Sequence, residues 1–427
     1  MRDEIDIAII GSGAAGLAAG IFSAETRRDL TIVLFDGART IGSKILVSGG
    51  GRCNVTNAYV QPSDFHAPQK VVARILQRFD EQATISWFQS LGVELKQEPG
   101  GKLFPQSNQA KTVLTALLQR SKELHVQILN QHRVQTISPE KNGFRIQSNQ
   151  GTFISRMVIL ATGGQSLPKS GSDGQGWSMA KNLGHSVTKP YPALVPLVLN
   201  KAFIHSELSG VSHEVGLTTR VNQKMVDHRI GSLLWTHFGI SGPVVLDASR
   251  FWVMANGQGK TVTLSLSCFP HQTKEEVGCW LSHVSREPGR KTVLSWLSHH
   301  LPDRVAEKLC SLSDKQWNCR NDQFPSVAMT PLNQLSQEKR AILVDVLTDL
   351  SLPVVGQRGW NFAEVTAGGI PLSEINPKTM MSRIIPSLYL IGEMLDSDGR
   401  IGGFNFQWAW TTGFIAGWSA ALEVEKI

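Results

Sequence analysis

The sequence has few cysteines, and none of them form a C-x-x-C pair. Its 427 residues include 5 cysteines, and an odd number without metal-ligand spacing favours reduced thiols over disulfides or a zinc site. We therefore expect no bound metal and no redox-active disulfide. The default location for such a chain is the cytoplasm.

Charged residues are also scarce, at 18% against 41% hydrophobic residues. This composition excludes a disordered chain and, at this length, predicts two or three structural units. The 42 basic and 35 acidic residues give a net charge of +7. That excess permits a polyanionic partner without requiring one, and no basic arm or tail marks a nucleic-acid binder.

No segment has the pattern of a signal peptide, a membrane anchor or an internal repeat. The uncharged stretch 7–24 carries glycines where a signal needs an apolar run. The uncharged stretch 402–422 contains Asn405, Gln407 and several glycines, so we expect a buried helix there and no membrane partner.

The N-terminus carries the pattern of a dinucleotide-binding site. An apolar strand over 6–10 leads into Gly11-Ser-Gly13-Ala14-Ala15-Gly16. In this fingerprint Gly11 makes the tight turn, Gly13 lets the backbone approach a pyrophosphate, and Gly16 allows the helix to pack closely on the strand. The pattern favours a nucleotide site over a mere glycine-rich turn.

The segments that follow are in register with that fingerprint. Residues 17–25 form helices readily, and the β-rich run 30–35 ends in Asp36. Asp36 stands where an acceptor for ribose hydroxyls is expected.

Two later strand ends favour FAD over NAD as the dinucleotide. The strand pattern 157–160 closes on Ala161-Thr162-Gly163-Gly164, and the strand pattern 388–391 closes on Gly392-Glu393. Asp396 and the run 399–407 follow and should open the last helix, whose N–H groups can face the electron-rich edge of a flavin.

A second strand–G-x-G-x-x-G–helix unit is missing from the sequence. The glycine-rich run 171–176 has no preceding strand, so we interpret it as a cofactor-side loop and not as an NAD site. We therefore expect NAD(P)H to be a transient reductant.

Several blocks resemble a known family. The run 42–57, with Lys44, Ser48-Gly49-Gly50-Gly51-Arg52-Cys53-Asn54 and Thr56-Asn57, resembles the signature of the BaiN/RdsA-type (YhiN-like) FAD oxidoreductases. Further blocks that resemble this family are 101–105, 237–243, 364–369 and 402–410. With the N-terminal fingerprint they run from residue 5 to residue 417, so the resemblance covers essentially the whole chain.

The resemblance implies an α/β fold, a glutathione-reductase-like Rossmann FAD domain interrupted by an insertion with a β-barrel-like part and a helical part. The expected domains are 1–190 and 361–427 for FAD and 191–360 for the inserted substrate domain. The implied activities are flavin-dependent reductions of conjugated carbon–carbon double bonds. The substrates are steroid-like enones, or uracil in large-subunit ribosomal RNA, which becomes dihydrouridine.

The hydrophobic pattern points to the same interrupted organisation. Helical periodicity is expected over 70–91 and 111–124, and strands over 126–129 and 144–147. After residue 190 the pattern changes, and the expected strands are 195–199, 214–221, 224–230 and 261–267. The expected helices after them are 274–284, 291–300, 303–312 and 337–350.

Three residues are candidates for catalysis, and each has an alternative role. Cys53 could donate a proton to a developing enolate or simply pack in a flavin loop. Arg52, like Lys44, could bind phosphate or polarise a substrate oxygen, and Arg52 could instead pair with a carboxylate that holds its loop. His237 could contact the substrate or act as an acid, but a capping or core role is favoured.

The three glycines 49–51 are expected to approach the flavin ring closely, because a β-carbon there would collide with it. Trp408 and Trp410 could stack on an RNA base, although core packing is the commoner fate. The residues expected to bind the cofactor are Gly11, Gly13, Ala14, Ala15, Gly16, Asp36, Lys44, Ser48, Gly49, Gly50, Gly51, Arg52, Cys53, Asn54, Ala161, Thr162, Gly163, Gly164, Gly392, Glu393, Asp396, Gly402, Gly403, Phe404 and Asn405.

The expected function is FAD-dependent reduction of a conjugated C=C bond with NAD(P)H electrons, and uridine in ribosomal RNA is the leading substrate. A small-molecule enone reductase is the first alternative. A flavoprotein whose FAD is structural or sensory, and which binds RNA or protein, is the second. The sequence does not specify the oligomeric state or the flavin face that is used.

Overall fold

The computed structural model describes residues 5–286, 289–318 and 326–424. The chain divides into two compact units, a discontinuous unit of Met1–Pro192 with Trp360–Ile427 and an inserted unit of Ala193–Gly359. The four cysteines within the described ranges are free thiols, and Cys319 lies outside those ranges. Among the helices described, none has both the length and the hydropathy needed to cross a membrane.

The first segment of the discontinuous unit alternates strands and helices. Its strands are β1 (Ile5–Ile10), β2 (Ile32–Phe35), β3 (Thr56–Asn57), β4 (Phe65–His66), β5 (Leu95–Glu98), β6 (Lys102–Pro105), β7 (Gln127–Leu129), β8 (Val134–Glu140), β9 (Gly143–Ser148), β10 (Gly151–Leu160) and β11 (Thr188–Ala193). Its helices are α1 (Ala14–Thr26), α2 (Ser43–Gly51), α3 (Gln69–Leu76), α4 (Glu81–Ser90), α5 (Ala110–Glu123) and α6 (Gln175–Asn182).

The inserted unit places strands before and after a set of helices. Its strands are β12 (Leu197–Leu199), β13 (Ser212–Val221), β14 (Lys224–Thr236), β15 (Gly239–Ser241), β16 (Val262–Ser267), β17 (Leu350–Leu352) and β18 (Val354–Gln357). Its helices are α7 (Pro243–Gly257), α8 (Lys274–Val284), α9 (Val293–Leu297), α10 (Asp303–Asn318) and α11 (Gln337–Thr348). The chain then returns to the first unit with β19 (Val365–Gly369), β20 (Leu388–Leu390), β21 (Asp398–Gly399) and α12 (Phe404–Glu423).

The main sheet of the discontinuous unit has the order β7-β2-β1-β10-β9-β8, and β20 also pairs with β10. Strands β7, β2, β1, β10 and β20 are parallel, whereas β9 and β8 form an antiparallel extension. Ile7, Ala8 and Ile9 of β1 are fully buried, as expected for parallel strands covered on both faces. Because parallel strands end at the same edge, the segments after β1, β2, β10 and β20 meet there.

Helices α1 and α12 pack on each other with their backbones almost in contact. A β-carbon added at Gly413 would lie 2.7 Å from the Ala15 carbonyl oxygen, and one at Gly417 would lie 2.4 Å from that of Ala19. The Ser23 hydroxyl also donates to the Gly417 carbonyl at 3.0 Å. This packing explains why charged residues are confined to the last turn of each helix, at Glu25 and Glu423. The buried helix expected over 402–422 is confirmed.

The sheet of the inserted unit is antiparallel, in the order β17-β16-β13-β14-β15-β12-β18. Its two edge strands, β17 and β18, follow each other in the chain with only Pro353 between them. The sheet must therefore curl until its edges approach, which gives the expected barrel-like part. Strands β13 and β14 are joined at Asn222 and Gln223, whose φ angles are 48° and 67°, the two-residue turn that suits a twisted hairpin.

A partly buried polar cluster in the discontinuous unit joins the end of α6 to the segment before β20. His185 Nδ1 is hydrogen-bonded to Glu374 Oε2 at 2.7 Å, and its Nε2 is hydrogen-bonded to the Ser382 hydroxyl at 2.9 Å. Ser186 also donates to Glu374, through both its backbone N–H and its hydroxyl. Burial raises the pKa of the Glu374 carboxyl, but the hydrogen bonds from Ser186 and His185 outweigh it and the net shift is downward.

We expect Glu374→Gln to lower the free energy of unfolding by about 1–2 kcal/mol at neutral pH, because it weakens hydrogen bonds to a charged group. A carboxyl with a lowered folded-state pKa stabilises the protein above its unfolded pKa and loses that contribution as the pH falls. The difference between wild type and variant should therefore shrink below about pH 4. Urea unfolding at several pH values measures it, and a difference that stays constant with pH would contradict the assignment.

Candidate functional site

The loop after β1 has the geometry that its glycines predict. A β-carbon added at Gly11 would lie 2.5 Å from the Ala161 carbonyl oxygen, and one at Gly16 would lie 1.9 Å from that of Gly11. Both positions therefore exclude any larger residue. Gly13 differs, because nothing lies within 4 Å of its added β-carbon, so an open space remains where a ligand can approach the backbone.

The start of α1 is suited to an anion. Gly13 is its N-cap, no side chain caps it, and its first turn has no acidic residue. The Ser12 hydroxyl oxygen beside it is buried and has no hydrogen-bond partner in the described structure. Unpaired N–H groups and the positive end of the helix dipole attract phosphate. The residues present therefore fit the pyrophosphate of a dinucleotide.

Asp36 follows β2 and folds back onto the same loop. Its Oδ2 accepts from the Ser12 N–H and its Oδ1 from the Ala38 N–H, each at 2.8 Å. The carboxylate thus holds the loop after β1 in place. Its contact with a ribose stays a prediction.

The segments after β10 and β20 lie at the same edge of the main sheet as the loops after β1 and β2. Ala161 donates its N–H to the Ile10 carbonyl at 2.9 Å, and Ile391 donates to the Leu160 carbonyl at 3.0 Å. The Gly174 N–H, in the loop that precedes α6, donates to the Gly164 carbonyl at 3.0 Å. The glycine-rich run 171–176 therefore lies beside the residues that follow β10, Ala161 to Gly164.

A polar network joins four distant segments at this edge. The Lys44 ammonium forms an ion pair with Glu393 Oε2 and donates to the Ser166 hydroxyl at 2.6 Å. Glu393 Oε1 accepts from the Ser166 hydroxyl at 2.8 Å and from the Thr366 N–H at 3.0 Å. A β-carbon at Gly164 would lie 2.4 Å from the Thr366 hydroxyl oxygen. We call Lys44, Ser166, Thr366 and Glu393 the edge network.

The second half of α2 is an exposed loop and not a regular helix. The chain turns out of the helix at Ser48, where ψ is 150°, and Gly49, Gly50 and Gly51 follow with φ angles of 55°, 68° and 84°. All three glycines are exposed, and nothing lies within 4 Å of an added β-carbon at Gly50. A planar ligand could approach this backbone closely, but the expected contact with a flavin stays a prediction.

Arg52 is held by its neighbours. Its Nη1 donates to Glu98 Oε1 at 2.8 Å, and its guanidinium lies 4.1 Å from the centroid of the Phe104 ring. The side chain is 40% exposed. These contacts match the alternative in which Arg52 pairs with a carboxylate that holds its loop. The other N–H groups of the guanidinium have no partner among the described residues.

Cys53 is sealed inside the loop. Its side chain is 0% exposed, and burial raises the pKa of the thiol to about 12. Such a thiol stays protonated at neutral pH, but it is a weak acid and no substrate can reach it. The geometry favours the packed-residue alternative and does not support the proton-donor role.

We expect Cys53→Ala to retain activity within about twofold and to lose about 1 kcal/mol of stability, as for a small core truncation. In the folded protein, iodoacetamide should label the exposed Cys279 and leave Cys53 unmodified, because only an accessible thiolate reacts. NADPH oxidation measures the activity, urea unfolding measures the stability, and peptide mass spectrometry measures the labelling. A variant that kept its cofactor but lost most of its activity would restore Cys53 as the proton donor.

The residues after Cys53 tie the loop to α12, a role that the sequence did not reveal. The Thr56 hydroxyl donates to Gln407 Oε1 at 2.6 Å, and the Trp410 indole N–H donates to the Val55 carbonyl at 2.9 Å. Asn54 Oδ1 accepts from the Leu103 N–H at 3.2 Å. In this structure the Asn54 side chain therefore binds the backbone of β6 and fixes its own loop against that strand.

Hydrogen bonds from side chains to the backbone also hold the segment before α12. Asn57 Nδ2 donates to the Gly402 carbonyl at 3.0 Å. Asn405 bonds both backbone groups of Gly399, each at 2.8 Å. Gly403 is the N-cap of α12, and no side chain caps the helix. The Phe404 ring is fully buried.

Asp396, Trp408 and Trp410 are the remaining predicted residues near α12. Asp396 is half-buried and donates its backbone N–H to the Ile370 carbonyl at 2.8 Å, and its contact with the cofactor stays a prediction. Trp408 is 1% exposed and Trp410 is 0% exposed, so the core interpretation of both is confirmed and stacking on an RNA base is wrong.

His237 belongs to the inserted unit, in the two-residue turn between β14 and β15. Its imidazole is exposed and meets the Phe238 ring edge-on, with the ring centroids 5.1 Å apart. The exposed ring contradicts a core role. A capping role, a substrate contact and a role as an acid stay predictions for His237.

Comparison with known proteins identifies similar chains. The HI0933-like protein Rossmann domain matches residues 5–419. The chain is 33% identical over 417 residues to the 3-dehydro-bile acid delta(4,6)-reductase of Clostridium scindens, covering 97% of this chain and 98% of that protein. It is 30% identical over 425 residues to the ribosomal RNA dihydrouridine synthase of Escherichia coli, covering 99% and 98%. A solved quinol-fumarate reductase, 15% identical, covers 99% of this chain and 71% of its own with a TM-score of 0.50, which shows a shared fold.

Proposed function

The chain belongs to the HI0933-like family, and from this membership we propose that it is an FAD-dependent oxidoreductase that reduces a conjugated carbon–carbon double bond with electrons from NAD(P)H. The observation that carries the proposal is the convergence of the segments after β1, β2, β10 and β20 on one sheet edge. Helix α2, which carries the exposed Gly49, Gly50 and Gly51, is tied to that edge through Lys44 and Glu393. Protein side chains cannot transfer a hydride. The bound FAD would supply this chemistry, passing a hydride from NAD(P)H to one carbon of the double bond.

The residues of the edge would hold the cofactor. We assign the pyrophosphate to Gly11, Gly13 and the first turn of α1, and a ribose to Asp36. The edge network would fix the segments that surround the flavin, and Gly49, Gly50 and Gly51 would admit its flat ring.

Arg52 would act on the substrate. Because Glu98 and the Phe104 ring hold its guanidinium, its remaining N–H groups can bind the carbonyl conjugated to the double bond. That contact would stabilise the negative charge that develops on the oxygen. With the Cys53 thiol sealed, we assign the proton for the neighbouring carbon to water. In the same proposal, the insertion 191–360 with His237 serves substrate binding.

Two substrates follow from the relatives, and we propose uridine in ribosomal RNA as the first. The name of the Escherichia coli relative denotes saturation of a uracil C=C bond in RNA, and the net charge of +7 suits a polyanion. The second is a small cyclic enone, because the relative from Clostridium scindens is named for reducing a bile acid.

Mass-spectrometric mapping of dihydrouridine in ribosomal RNA, from cells with and without the gene, tests the first substrate. We expect one dihydrouridine to disappear in the deletion strain and to return with the wild-type gene. NADPH oxidation by purified protein with cyclic enones tests the second. Retention of every dihydrouridine, together with enone turnover that RNA does not inhibit, would assign the enzyme to small molecules. A flavin that NADPH does not reduce would contradict both.

A further inference from the structure

A line of exposed cations follows one face of α3. Lys70, Arg74 and Arg78 are each four residues apart, and all three side chains are exposed. Residues at this spacing share a helix face, with a rise of about 6 Å between neighbours. Arg78 lies just beyond α3, where its N–H still donates to the Ile75 carbonyl at 3.0 Å. We call these three residues the α3 row.

The α3 row is not neutralised by the protein. None of its members lies within ion-pair distance of a carboxylate in the part of the chain that the structure describes. Asp80, the nearest acidic residue in the sequence, caps α4 by accepting from the Ala83 N–H at 2.8 Å. Three aligned, unpaired cations produce a local positive potential that attracts a polyanion.

An exposed aromatic ring adjoins the row. The Arg78 guanidinium lies 5.3 Å from the centroid of the Trp418 ring, which belongs to α12 and is 38% exposed. Tryptophan is the strongest cation–π partner, and the exposed part of such a ring can also contact a base. Cations beside an accessible aromatic ring are the combination that single-stranded nucleic acid requires.

The opposite face of α3 argues against a lipid surface as the partner. Val72 and Ile75 are 0% exposed and Leu76 is 7% exposed, all in the core of the unit. An interfacial membrane helix places its apolar face in the lipid, whereas α3 has only its charged face available.

We propose that the α3 row and Trp418 form a contact surface for single-stranded ribosomal RNA, with the three cations on successive phosphates and the indole against a base. The proposal rests on the RNA substrate assigned above and adds a binding surface to it. It needs no chemistry at the flavin, so binding can be measured apart from turnover.

The test measures binding of the FAD-loaded protein to a short fluorescein-labelled oligouridylate by anisotropy, between about 50 and 200 mM salt. Lys70→Gln/Arg74→Gln/Arg78→Gln should weaken binding about tenfold and make the salt slope shallower by about 2, since each single-strand phosphate contact contributes about 0.7. Trp418→Ala should weaken binding and leave the slope unchanged. The charge-matched control Lys111→Gln/Lys141→Gln/Lys181→Gln replaces three exposed cations elsewhere and should leave both quantities unchanged.

Equal effects of the two triple variants would overturn the proposal, because the row would then act only through net charge. The proposal would also be overturned if the row variant no longer bound anionic phospholipid vesicles but still bound RNA as well as the wild type does. Wild-type protein that binds RNA through the row while the deletion strain keeps all its dihydrouridine would support the surface and refute the RNA-modifying function. Thermal melting of each variant controls for folding.

Discussion

Replacing Gly13 with aspartate should give a folded but colourless protein. Gly13 is the N-cap of α1, with φ of −80° and ψ of −167°, an extended conformation that any residue adopts. Nothing lies within 4 Å of its added β-carbon, and aspartate is a better N-cap than glycine by a few tenths of a kcal/mol. The fold should therefore be as stable as that of the cofactor-free wild type, or slightly more stable.

The same carboxylate should prevent cofactor binding. It would occupy the space left open at Gly13 and place a negative charge where the pyrophosphate is expected. We expect FAD affinity to fall at least about 100-fold, which corresponds to about 2.7 kcal/mol. The flavin absorbance of the purified protein and calorimetric titration with FAD measure the loss, and melting of the cofactor-free forms measures stability.

Two variants of the same loop separate charge from shape. Gly13→Ser also adds a capping side chain but no charge, so it should keep more FAD than Gly13→Asp. Gly16→Ala should destabilise the fold itself, because its β-carbon would lie 1.9 Å from the Gly11 carbonyl oxygen. A yellow Gly13→Asp protein with the FAD content of wild type would refute the assignment of the phosphate loop.

The parts of the fold that local pattern determines could be predicted. The strands expected over 6–10 and 30–35 correspond to Ile5–Ile10 and Ile32–Phe35, because fully buried parallel strands are continuous apolar runs. The α/β class, the nucleotide fingerprint and the family are confirmed. Each of these rests on short runs of residues that can be recognised one at a time, wherever they lie in the chain.

Boundaries that depend on one capping residue were harder to predict. The helical periodicity over 70–91 is divided into α3 and α4, because the Asp80 side chain accepts from the Ala83 N–H and starts a new helix. The helix expected over 291–300 is only Val293–Leu297, which begins at the capping hydroxyl of Thr292. Polar side chains that compete for backbone N–H groups interrupt a periodic pattern without changing it.

The partners of the site residues could not be predicted, because they are distant in sequence. The glycines indicate that a ligand or another backbone segment comes close to the chain. No local signal shows that Lys44 pairs with a carboxylate 349 residues away. In the same way, the burial of Cys53 depends on the packing of its loop on the rest of the unit. The sequence identified the segments of the site, whereas tertiary packing decided which side chains face solvent.

The edge network should show strong coupling between Lys44 and Glu393. Their side chains are only 26% and 19% exposed. Glu393→Gln can keep the oxygen that accepts from Ser166 and Thr366, but it leaves the Lys44 ammonium unpaired. We expect it to lose about 1–2 kcal/mol of stability, a value reduced for partial exposure, and to slow NADPH-dependent turnover at least about tenfold because four segments of the site are held less firmly.

A double-mutant cycle tests the coupling directly. Lys44→Met should cost less than Glu393→Gln, because Glu393 then keeps its bonds from Ser166 and Thr366. The double variant should be more stable than the sum of the single losses predicts, by about 1 kcal/mol, since it no longer leaves one charge without the other. The control is the pair Lys274 and Asp345 in the inserted unit, whose side chains are 56% and 53% exposed; its coupling should stay within about 0.5 kcal/mol. Additive losses at Lys44 and Glu393, with FAD affinity and turnover unchanged, would show that the ion pair does not organise the site.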